Sequence, residues 1–340
     1  MKEIYAINLQ LFAEMNTQTS VLSSLTPEMK TYYDMTLIDE AQAKLVHDQF
    51  GQKKPIPKGS GKTIEFRKFS PLAKALTPIT EGVTPNGNSL NVTAITATVA
   101  QYGDYIVQSD VLELTSLDNT IIEATKLLGN QAGLTLDTIT RDILHGGTNV
   151  SWCPKIAADG TETEVTSRKN LDVTCQLTVD MVQRAVTKLR AQNAPTIDGD
   201  YVAIIHPYVA YDLMRDKEWI EAHKYANPEN IYAGEIGKIA GVRFVQSTEA
   251  KIYKDDTCPS GLAVFGTLFL GSGAYGVTEI TGGGLQTIVK QKGSAGTADP
   301  LDQRSSVGWK AIKTAERLVE NYMVRVESCS KRYSATAAAN

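Results

Sequence analysis

Residues 59–63 are the first place where this chain could bind a phosphate group. They read Gly-Ser-Gly-Lys-Thr, which matches the end of a phosphate-binding loop. A complete loop has a further glycine at the position of Ile56, and it leads from a buried strand into a helix. Here Lys-Lys-Pro precedes the segment and an alternating, strand-like run follows it. The pattern therefore indicates a turn rather than a nucleotide site.

A second glycine-rich segment, residues 271–276, matches the GxGxxG pattern of dinucleotide-binding proteins. That pattern binds pyrophosphate only where the glycines open a helix, because the helix N-terminus holds the anion. Residues 277–280 read Val-Thr-Glu-Ile, which is typical of a strand. We therefore expect a tight connection between two strands. An α/β enzyme that uses the Gly271 turn stays open as an alternative.

His206 lies where a predicted strand ends and a predicted helix begins, a position in which active-site residues occur. The apolar run Tyr201–Ile205 predicts the strand, and Pro207 is favoured at the first position of a helix. We favour a structural role, in which His206 initiates this helix. An enzyme that uses His206 remains the alternative.

Metal chemistry is disfavoured by the spacing of the ligand-type residues. The sequence contains no CxxC pair, no HExxH motif and no two histidines at helical spacing. The sequence predicts no metal site and no cofactor, and it predicts that the cysteines are reduced and mostly buried. The four cysteines and four histidines are Cys153, Cys175, Cys258, Cys329, His47, His145, His206 and His223.

The composition is that of a globular protein without a strong electrostatic bias. The chain has 340 residues, is 42% hydrophobic and carries a net charge of −4. Proteins that bind nucleic acid tightly usually carry a basic patch, so we expect DNA to be at most a weak ligand. No apolar run reaches 18 residues, and the start, MKEIYAINLQLFAEMNTQ, does not match a signal peptide. We expect a cytoplasmic protein without a membrane partner.

The first hundred residues predict an arm, a helix and a hairpin. Residues 1–25 lack a sustained period, whereas Thr26 resembles an N-cap that starts an amphipathic helix to Phe50. Residues 62–67 alternate as a strand, and residues 92–108 form a second strand-like run. The segment PLAKALTPITEGVTPNGNSLN at 71–91 lies between them and contains three prolines and no large aromatic residue. Because two strands alone are marginal in water, this hairpin must be flexible or must lie on another surface.

The two limbs of the hairpin carry opposite charges. Residues 53–80 contain seven cationic side chains against one acid, whereas residues 81–125 contain six acids and no cation. The limbs could pair with each other across the hairpin, each exposed pair contributing a few tenths of a kcal/mol. Alternatively, the basic limb of one subunit meets an acidic surface of its neighbour, which would set register and orientation. We favour the second interpretation.

The remaining elements follow from periodicity. A long helix is predicted from Asp118 to His145, where Gly129 and Gly133 indicate close approach by another backbone. Residues 148–176 give no clear signal, and the small, polar residues 334–340 predict a frayed tail. The other predicted elements are a helix from Thr178 to about Asn193, the strand–helix–strand module 201–247, strands at 262–270, 275–280 and 285–291, and a terminal strand at 323–327.

Several long segments resemble the major capsid proteins of tailed phages of the Hong Kong 97 type. The resemblance follows the same order along nearly the whole chain and is greatest to the family named after the coat protein of phage N-four. The segments that carry it are LDNTIIEATKLLGNQAG at 117–133, YVAIIHPYVAYDLMRD at 201–216, GLAVFGTLFLG at 261–271 and GWKAIKTAERLVENYMVRVES at 308–328, together with the text from Gly61 onwards.

The resemblance implies an α+β fold of the Hong Kong 97 type. Such a fold has an N-terminal arm, an extended β-hairpin loop, a spine helix, and peripheral and axial domains. The implied division is arm and first helix at 1–60, hairpin loop at 61–110, spine helix and peripheral domain at 111–177, axial domain at 178–294, and C-terminal strands that complete the peripheral domain at 295–340.

The resemblance also implies a structural protein of the virion and not an enzyme. The subunit would assemble with itself, as hexamers and pentamers, into an icosahedral head around double-stranded DNA in the bacterial host cytoplasm. It would meet separate scaffolding, portal and decoration proteins, and it would contact DNA weakly and without sequence specificity. A shell of the same fold around cargo proteins, like an encapsulin, is a close alternative.

Charged residues on the hairpin and on the predicted axial loop 224–235 are the candidates for contacts between subunits. The loop is included because the axial domain would face sister subunits. The candidate interface residues are Lys62, Arg67, Lys68, Lys74, Glu81, Asp104, Asp110, Glu113, Lys224, Glu229 and Glu235.

Overall fold

The structure is a computed structural model. It describes residues 35, 37–41, 44–69, 72, 74–79, 81–82, 84, 87–115, 120–157, 159–226, 237–294 and 299–340, without the side chains of residues 69, 113 and 222–226. The predicted arm and the predicted helix start at Thr26 lie outside the described residues. Within the described part of the chain, no helix is long and apolar enough to cross a membrane.

The described residues form five α-helices with complete bounds and sixteen strands. The helices are α1 Asp110–Thr115, α2 Thr120–His145, α3 Val179–Ala191, α4 Pro207–Met214 and α5 Lys217–Ala226. The strands are β1 Gln52–Lys53, β2 Thr63–Phe69, β3 Val92–Thr98, β4 Ala100–Ser109, β5 Val150–Trp152, β6 Lys155–Ile156, β7 Glu162–Thr163, β8 Tyr201–Ile205, β9 Lys238–Ile239, β10 Val242–Gln246, β11 Ile252–Tyr253, β12 Val264–Leu270, β13 Tyr275–Glu279, β14 Gln286–Lys290, β15 Arg304–Arg317 and β16 Met323–Ser328.

A five-stranded sheet is built around the 14-residue strand β15. One edge of β15 pairs with β4 along ten residues, and the other edge pairs with β14 and then with β13, which lie end to end. Strand β1 pairs in parallel with β13. Because side chains alternate along a strand, Val307, Trp309 and Ala311 all point to one face, where they pack against α2. Sheet and helix thus share one core.

A seven-stranded sheet forms the second core. Its order is β5-β16-β12-β8-β10-β9, with β11 also paired to β12. All residues of β8 and β12 are buried, as expected for central strands covered on both faces. The predicted strand–helix–strand module is confirmed, because β10 runs parallel to β8 in register from Val242 opposite Tyr201.

Strand pairing does not follow the domain division predicted from the sequence, because strands from one predicted range pair with strands from another. Strands β13 and β14 lie within 178–294 but pair with β15 of the five-stranded sheet. Strand β16 lies within 295–340 but pairs with β12 of the seven-stranded sheet. The chain therefore passes from the seven-stranded sheet at β12 to the five-stranded sheet at β13, and returns to the seven-stranded sheet at β16. The division into domains by residue range stays a prediction.

The long helix α2 is confirmed over Thr120–His145, and so is the close approach at its two glycines, whereas its predicted start at Asp118 lies outside the described residues. Residues 37–41 are helical and pack against α2 there. A Cβ on Gly129 would lie 2.8 Å from the carbonyl oxygen of Leu37, and one on Gly133 would lie 2.6 Å from that of Ala41. The glycines are therefore required by contact with the N-terminal segment.

We expect Gly133→Ala to lower the free energy of unfolding by about 1–2 kcal/mol, because overpacking against backbone outweighs the gain in helix propensity. Without the contact, the same change would raise stability by up to about 1 kcal/mol, since alanine is the better helix former. Thermal unfolding of unassembled subunits measures the sign. A raised melting temperature would contradict the close contact of residues 37–41 with α2.

Three predictions from the sequence are corrected. The first helix does not reach Phe50, because residues 47–50 form a turn around buried contacts of His47. The run 92–108 is divided into β3 and β4, and these strands pair with different partners. The C-terminal tail is not frayed, since Asn340 accepts a hydrogen bond from the backbone N–H of Ile252 at 2.9 Å. Asn340 also donates to the carbonyl oxygen of Ala250 at 3.0 Å.

Candidate assembly surface

The hairpin of β2 and β3 presents its cations opposite uncharged residues. The strands pair along seven residues, and Arg67 and Lys68 lie opposite Ala94 and Thr93. Strand β3 contains no acid, because the acids of the second limb fall before and after it. Within the paired strands β2 and β3, the opposite charges of the two limbs therefore do not form charge pairs across the hairpin.

The described side chains show no ion pair between the two limbs. The cations from Lys53 to Lys74 lie more than 4.0 Å from every carboxylate whose side chain is described, and the ion pairs of the described residues lie elsewhere. Lys54 donates instead to the carbonyl oxygen of Glu65 at 3.0 Å, and its ammonium lies 5.6 Å from the ring centroid of Phe66. The interpretation of pairing within one hairpin has no support in the described part of the chain.

The acids at positions 104 and 110 are held by neighbours within the subunit. Asp104 accepts hydrogen bonds from the side chain of Gln131 at 2.7 Å and from the backbone N–H of Tyr105 at 2.8 Å. These bonds lower the pKa of the Asp104 carboxyl group, with that from Gln131 having the larger effect. Asp110 accepts from the backbone N–H of Val111 at 2.7 Å. Asp104 is exposed and Asp110 half-buried, so both can still be reached by a second protein.

The other predicted interface residues are placed unevenly by the structure. Lys62, Arg67, Lys74 and Glu81 are exposed, and Lys68 is half-buried. The structure describes the backbone but not the side chains of Glu113 and Lys224, and Glu229 and Glu235 lie outside the described residues. The structure therefore brings the basic residues together on one hairpin, and contacts at the axial loop stay a prediction.

Exposed aliphatic side chains at the hairpin tip and on α1 were missed by the sequence analysis. Large apolar groups in water mark surfaces that bind other proteins. The charge and proline content predict that the tip lies on another surface, whereas the neighbours of a leucine in the sequence do not show whether its side chain is exposed. The exposed fractions are Leu72 58%, Leu76 83%, Ile79 75% and Leu90 64% on the hairpin, and Val111 62%, Leu112 47% and Leu114 80% on α1.

The two glycine-rich segments are turns, as predicted. Gly59 and Gly61 have φ values of 88° and 87° and are followed by strand β2, so no helix N-terminus is available for a phosphate. The segment 271–276 connects β12 to β13, with Gly273 at φ 71°. Both segments use glycine for its access to the left-handed region of backbone conformation.

His206 initiates α4, as predicted. Its Nδ1 accepts a hydrogen bond from the backbone N–H of Tyr208 at 3.1 Å, and Pro207 occupies the first turn. Burial lowers the pKa of His206 to about 4, so the ring is neutral near pH 7. The four cysteines are free and buried, as predicted. Within the described residues, no group of histidine, cysteine and acidic side chains could hold a metal ion.

Solved phage capsids have the same fold. The structure "Capsid of Ralstonia phage GP4" matches with a TM-score of 0.65 and 15% identity over 98% of this chain and 100% of that chain. "Capsid structure of the Cyanophage P-SCSP1u" matches with a TM-score of 0.63 and 14% identity over 83% and 87%. "Cyanophage Pam1 capsid asymmetric unit" matches with 0.61 and 13% over 96% and 99%. The fold is therefore the predicted α+β fold of Hong Kong 97-type capsids.

Comparison of sequences identifies the family. No curated protein sequence matches the chain. The sequence model of a family described as "Phage capsid protein" matches residues 91–317. The match begins at the second strand of the hairpin, continues through both sheets and ends at the last residue of β15. Because it spans more than half of the sequence, the chain belongs to this phage capsid protein family.

Proposed function

We propose that the chain is the major capsid protein of a tailed phage and that it assembles into hexamers and pentamers of an icosahedral head around double-stranded DNA. That it is a structural capsid protein of the virion follows from the family and the fold. Hexamers, pentamers, the enclosed DNA and assembly in the host cytoplasm go beyond this and belong to the proposal, as does membership of the phage N-four type.

One observation carries the proposed mode of assembly, namely a cationic hairpin that makes no ion pair with described acids of its own subunit. Its aliphatic side chains are also exposed, and two strands alone are marginal in water. Binding to a neighbouring subunit would bury these groups and would match the cations with acids. We therefore propose that Lys62, Arg67, Lys68 and Lys74 meet acidic residues of the next subunit.

Reversal of charge on the hairpin tests this contact. We expect Lys68→Glu/Lys74→Glu to prevent or strongly reduce particle formation while the soluble subunits still fold, because both side chains would meet like charges. Electron microscopy and size-exclusion chromatography measure particle yield, and circular dichroism checks the fold. The defect should vary with salt concentration, since exposed charges are screened.

A matched control uses two lysines outside the hairpin. Lys169 and Lys290 are exposed and make no ion pair with a described side chain, so Lys169→Glu/Lys290→Glu changes the net charge equally. We expect near-normal particles from the control. Normal yield from the hairpin variant would contradict the proposed contact. A protein that stayed monomeric in every condition, with or without phage partners, would contradict self-assembly itself.

The alternatives are not favoured by what the chain resembles. The family is one of structural proteins, so the chain is not an enzyme. The phage capsids do not favour an encapsulin-like compartment around cargo proteins. DNA in purified particles would separate a phage head from such a compartment. We also propose separate scaffolding, portal and decoration proteins as partners.

A further inference from the structure

Three tyrosines form a compact cluster where α4 meets the C-terminal turn. The rings of Tyr208 and Tyr333 stack with centroids 4.2 Å apart and planes 11° apart. The ring of Tyr211 meets that of Tyr333 edge-on at 5.9 Å. Tyr208 is 38% exposed and is the one large exposed hydrophobic side chain of α4 and residues 329–340, all of which are described. Part of an ordered aromatic surface thus faces solvent.

Two arginines lie on this cluster. The guanidinium groups of Arg215 and Arg332 lie 5.6 and 5.9 Å from the ring centroid of Tyr211, within the range of cation–π attraction. Arg215 also donates to the hydroxyl oxygen of Tyr211 at 3.1 Å. We call Tyr208, Tyr211, Tyr333, Arg215 and Arg332 the Tyr–Arg surface. Its arginines are exposed and positioned by aromatic rings.

The positive charge of this surface is only partly balanced. Neither Arg215 nor Arg332 forms an ion pair with a described carboxylate, and the adjacent Lys331 is exposed. The nearby Asp212 is half-buried, and burial raises the pKa of its carboxyl group although both arginines oppose this change. Asp216 uses its oxygens to accept from the backbone N–H groups of Val179 and Glu218. The guanidinium groups therefore have donors free for an anion.

We propose that the Tyr–Arg surface binds the phosphate backbone of DNA, an inference that rests on the proposed enclosure of DNA by the particle. Guanidinium groups can contact phosphate oxygens through two parallel N–H bonds, and an exposed aromatic ring can pack on sugars or bases. The contact is weak and independent of sequence, because it involves two or three cations and no groove-reading element. In a chain with a net charge of −4, such a surface allows contact without tight binding.

An acidic surface of a second protein is the other partner that this chemistry could accept. The Tyr–Arg surface differs from the hairpin and α1, which expose several aliphatic side chains, because its exposed groups are cationic or aromatic. Tyrosine and arginine also occur in protein interfaces. Adjacent cations without paired acids favour a phosphate backbone, because arginine and lysine supply most of the charge contacts to phosphates. The partner class is decided by measuring DNA binding and assembly separately.

The test compares the wild-type chain with Arg215→Ala/Arg332→Ala. Binding of a fluorescein-labelled 30-base-pair DNA duplex to unassembled subunits is followed by anisotropy over a series of NaCl concentrations. Each lost phosphate contact reduces the slope of log K against log salt by about 0.9. We therefore expect the slope to fall in magnitude by about 2 and the affinity at low salt to fall several-fold. The control Lys169→Ala/Lys290→Ala removes the same charge elsewhere and should keep most of both.

Particle formation is scored separately by electron microscopy. Unchanged DNA binding by the double arginine variant would overturn the inference. If that variant also failed to form particles, the Tyr–Arg surface would bind a protein partner instead. If wild type forms no particles but its DNA binding still requires the arginines, the proposed assembly fails and the Tyr–Arg surface stands. If the double variant is unfolded by circular dichroism, the exposed single change Arg332→Gln is measured instead, with an expected slope change of about 1.

Discussion

Replacing Glu327 by alanine is expected to lower the free energy of unfolding by about 3–5 kcal/mol, because it leaves buried positive charge without its partner. The Glu327 side chain on β16 is 1% exposed. It accepts two bonds from Arg168, at 2.6 and 2.9 Å, and one from Arg325 at 2.9 Å. The indole N–H of Trp152 donates to it at 3.0 Å. Equilibrium unfolding of unassembled subunits in urea, followed by circular dichroism, measures the loss.

The loss is expected to be large because two guanidinium groups share one carboxylate. Burial alone would lower the pKa of Arg168, yet its hydrogen bond and charge interaction with Glu327 raise it. Arg168 also stacks 3.7 Å from the ring centroid of Tyr253, and the Tyr253 hydroxyl group is 3.0 Å from Nδ1 of His145 at the end of α2. Removing Glu327 therefore disturbs the contact between the seven-stranded sheet and the long helix.

Two further variants separate charge from packing. Glu327→Gln keeps the shape and one acceptor oxygen but removes the charge, so its loss should be intermediate. Glu123→Ala removes an exposed pair with Lys126, in which the Glu123 side chain is 62% exposed. Such pairs contribute at most about 1 kcal/mol. A loss for Glu327→Ala no greater than that for Glu123→Ala would contradict the role of the buried cluster.

Features set by neighbouring residues could be predicted from the sequence. The hydroxyl oxygen of Thr178 accepts from the backbone N–H of Met181 at 3.3 Å, three positions later, and His206 performs the same role for Tyr208. The buried strand β8 follows from five consecutive apolar residues. These elements depend on local hydrogen bonds and on apolar content, which a single sequence displays directly.

Features that depend on distant partners could not be predicted. Glu327 is the last charged residue of an alternating terminal strand, and nothing near it indicates that Arg168 lies 159 positions away in sequence. The tail 334–340 is small and polar, yet its contacts with residues 250–254 hold it in place. At the candidate assembly surface, the charges of the hairpin were readable, whereas the exposed leucines of the tip and of α1 were not.

The N-terminal segment is attached to α2 through a buried pair that likewise has no signal in the sequence. Asp137 and His47 are both 0% exposed. One carboxylate oxygen of Asp137 accepts from the backbone N–H of His47 at 2.7 Å, and the other accepts from its Nδ1 at 2.7 Å. The hydroxyl group of Tyr275 donates to the carbonyl oxygen of His47. Asp137 thus satisfies two donors that no water can reach.

The next residue extends this attachment to β15. Asp48 accepts from the hydroxyl group of Thr140 at 2.6 Å and forms an ion pair with Lys313. Lys313 also donates to the carbonyl oxygen of Leu136 at 3.1 Å. His47 and Asp48 therefore connect the segment before the hairpin to α2 and to β15 of the five-stranded sheet. Loss of this attachment should free the base of the hairpin as well as destabilise the subunit.

We expect Asp137→Ala to lower the free energy of unfolding by about 3–5 kcal/mol, since two buried donors lose their acceptor. Asp137→Asn keeps one acceptor oxygen and should lose about 1–3 kcal/mol. Glu123→Ala is again the control, because its side chain on the same helix is 62% exposed and its pair with Lys126 should contribute at most about 1 kcal/mol. Hydrogen exchange followed by mass spectrometry should show faster exchange in peptides covering residues 44–56 for Asp137→Ala. Wild-type exchange there, together with wild-type stability, would contradict the attachment of the hairpin base through this pair.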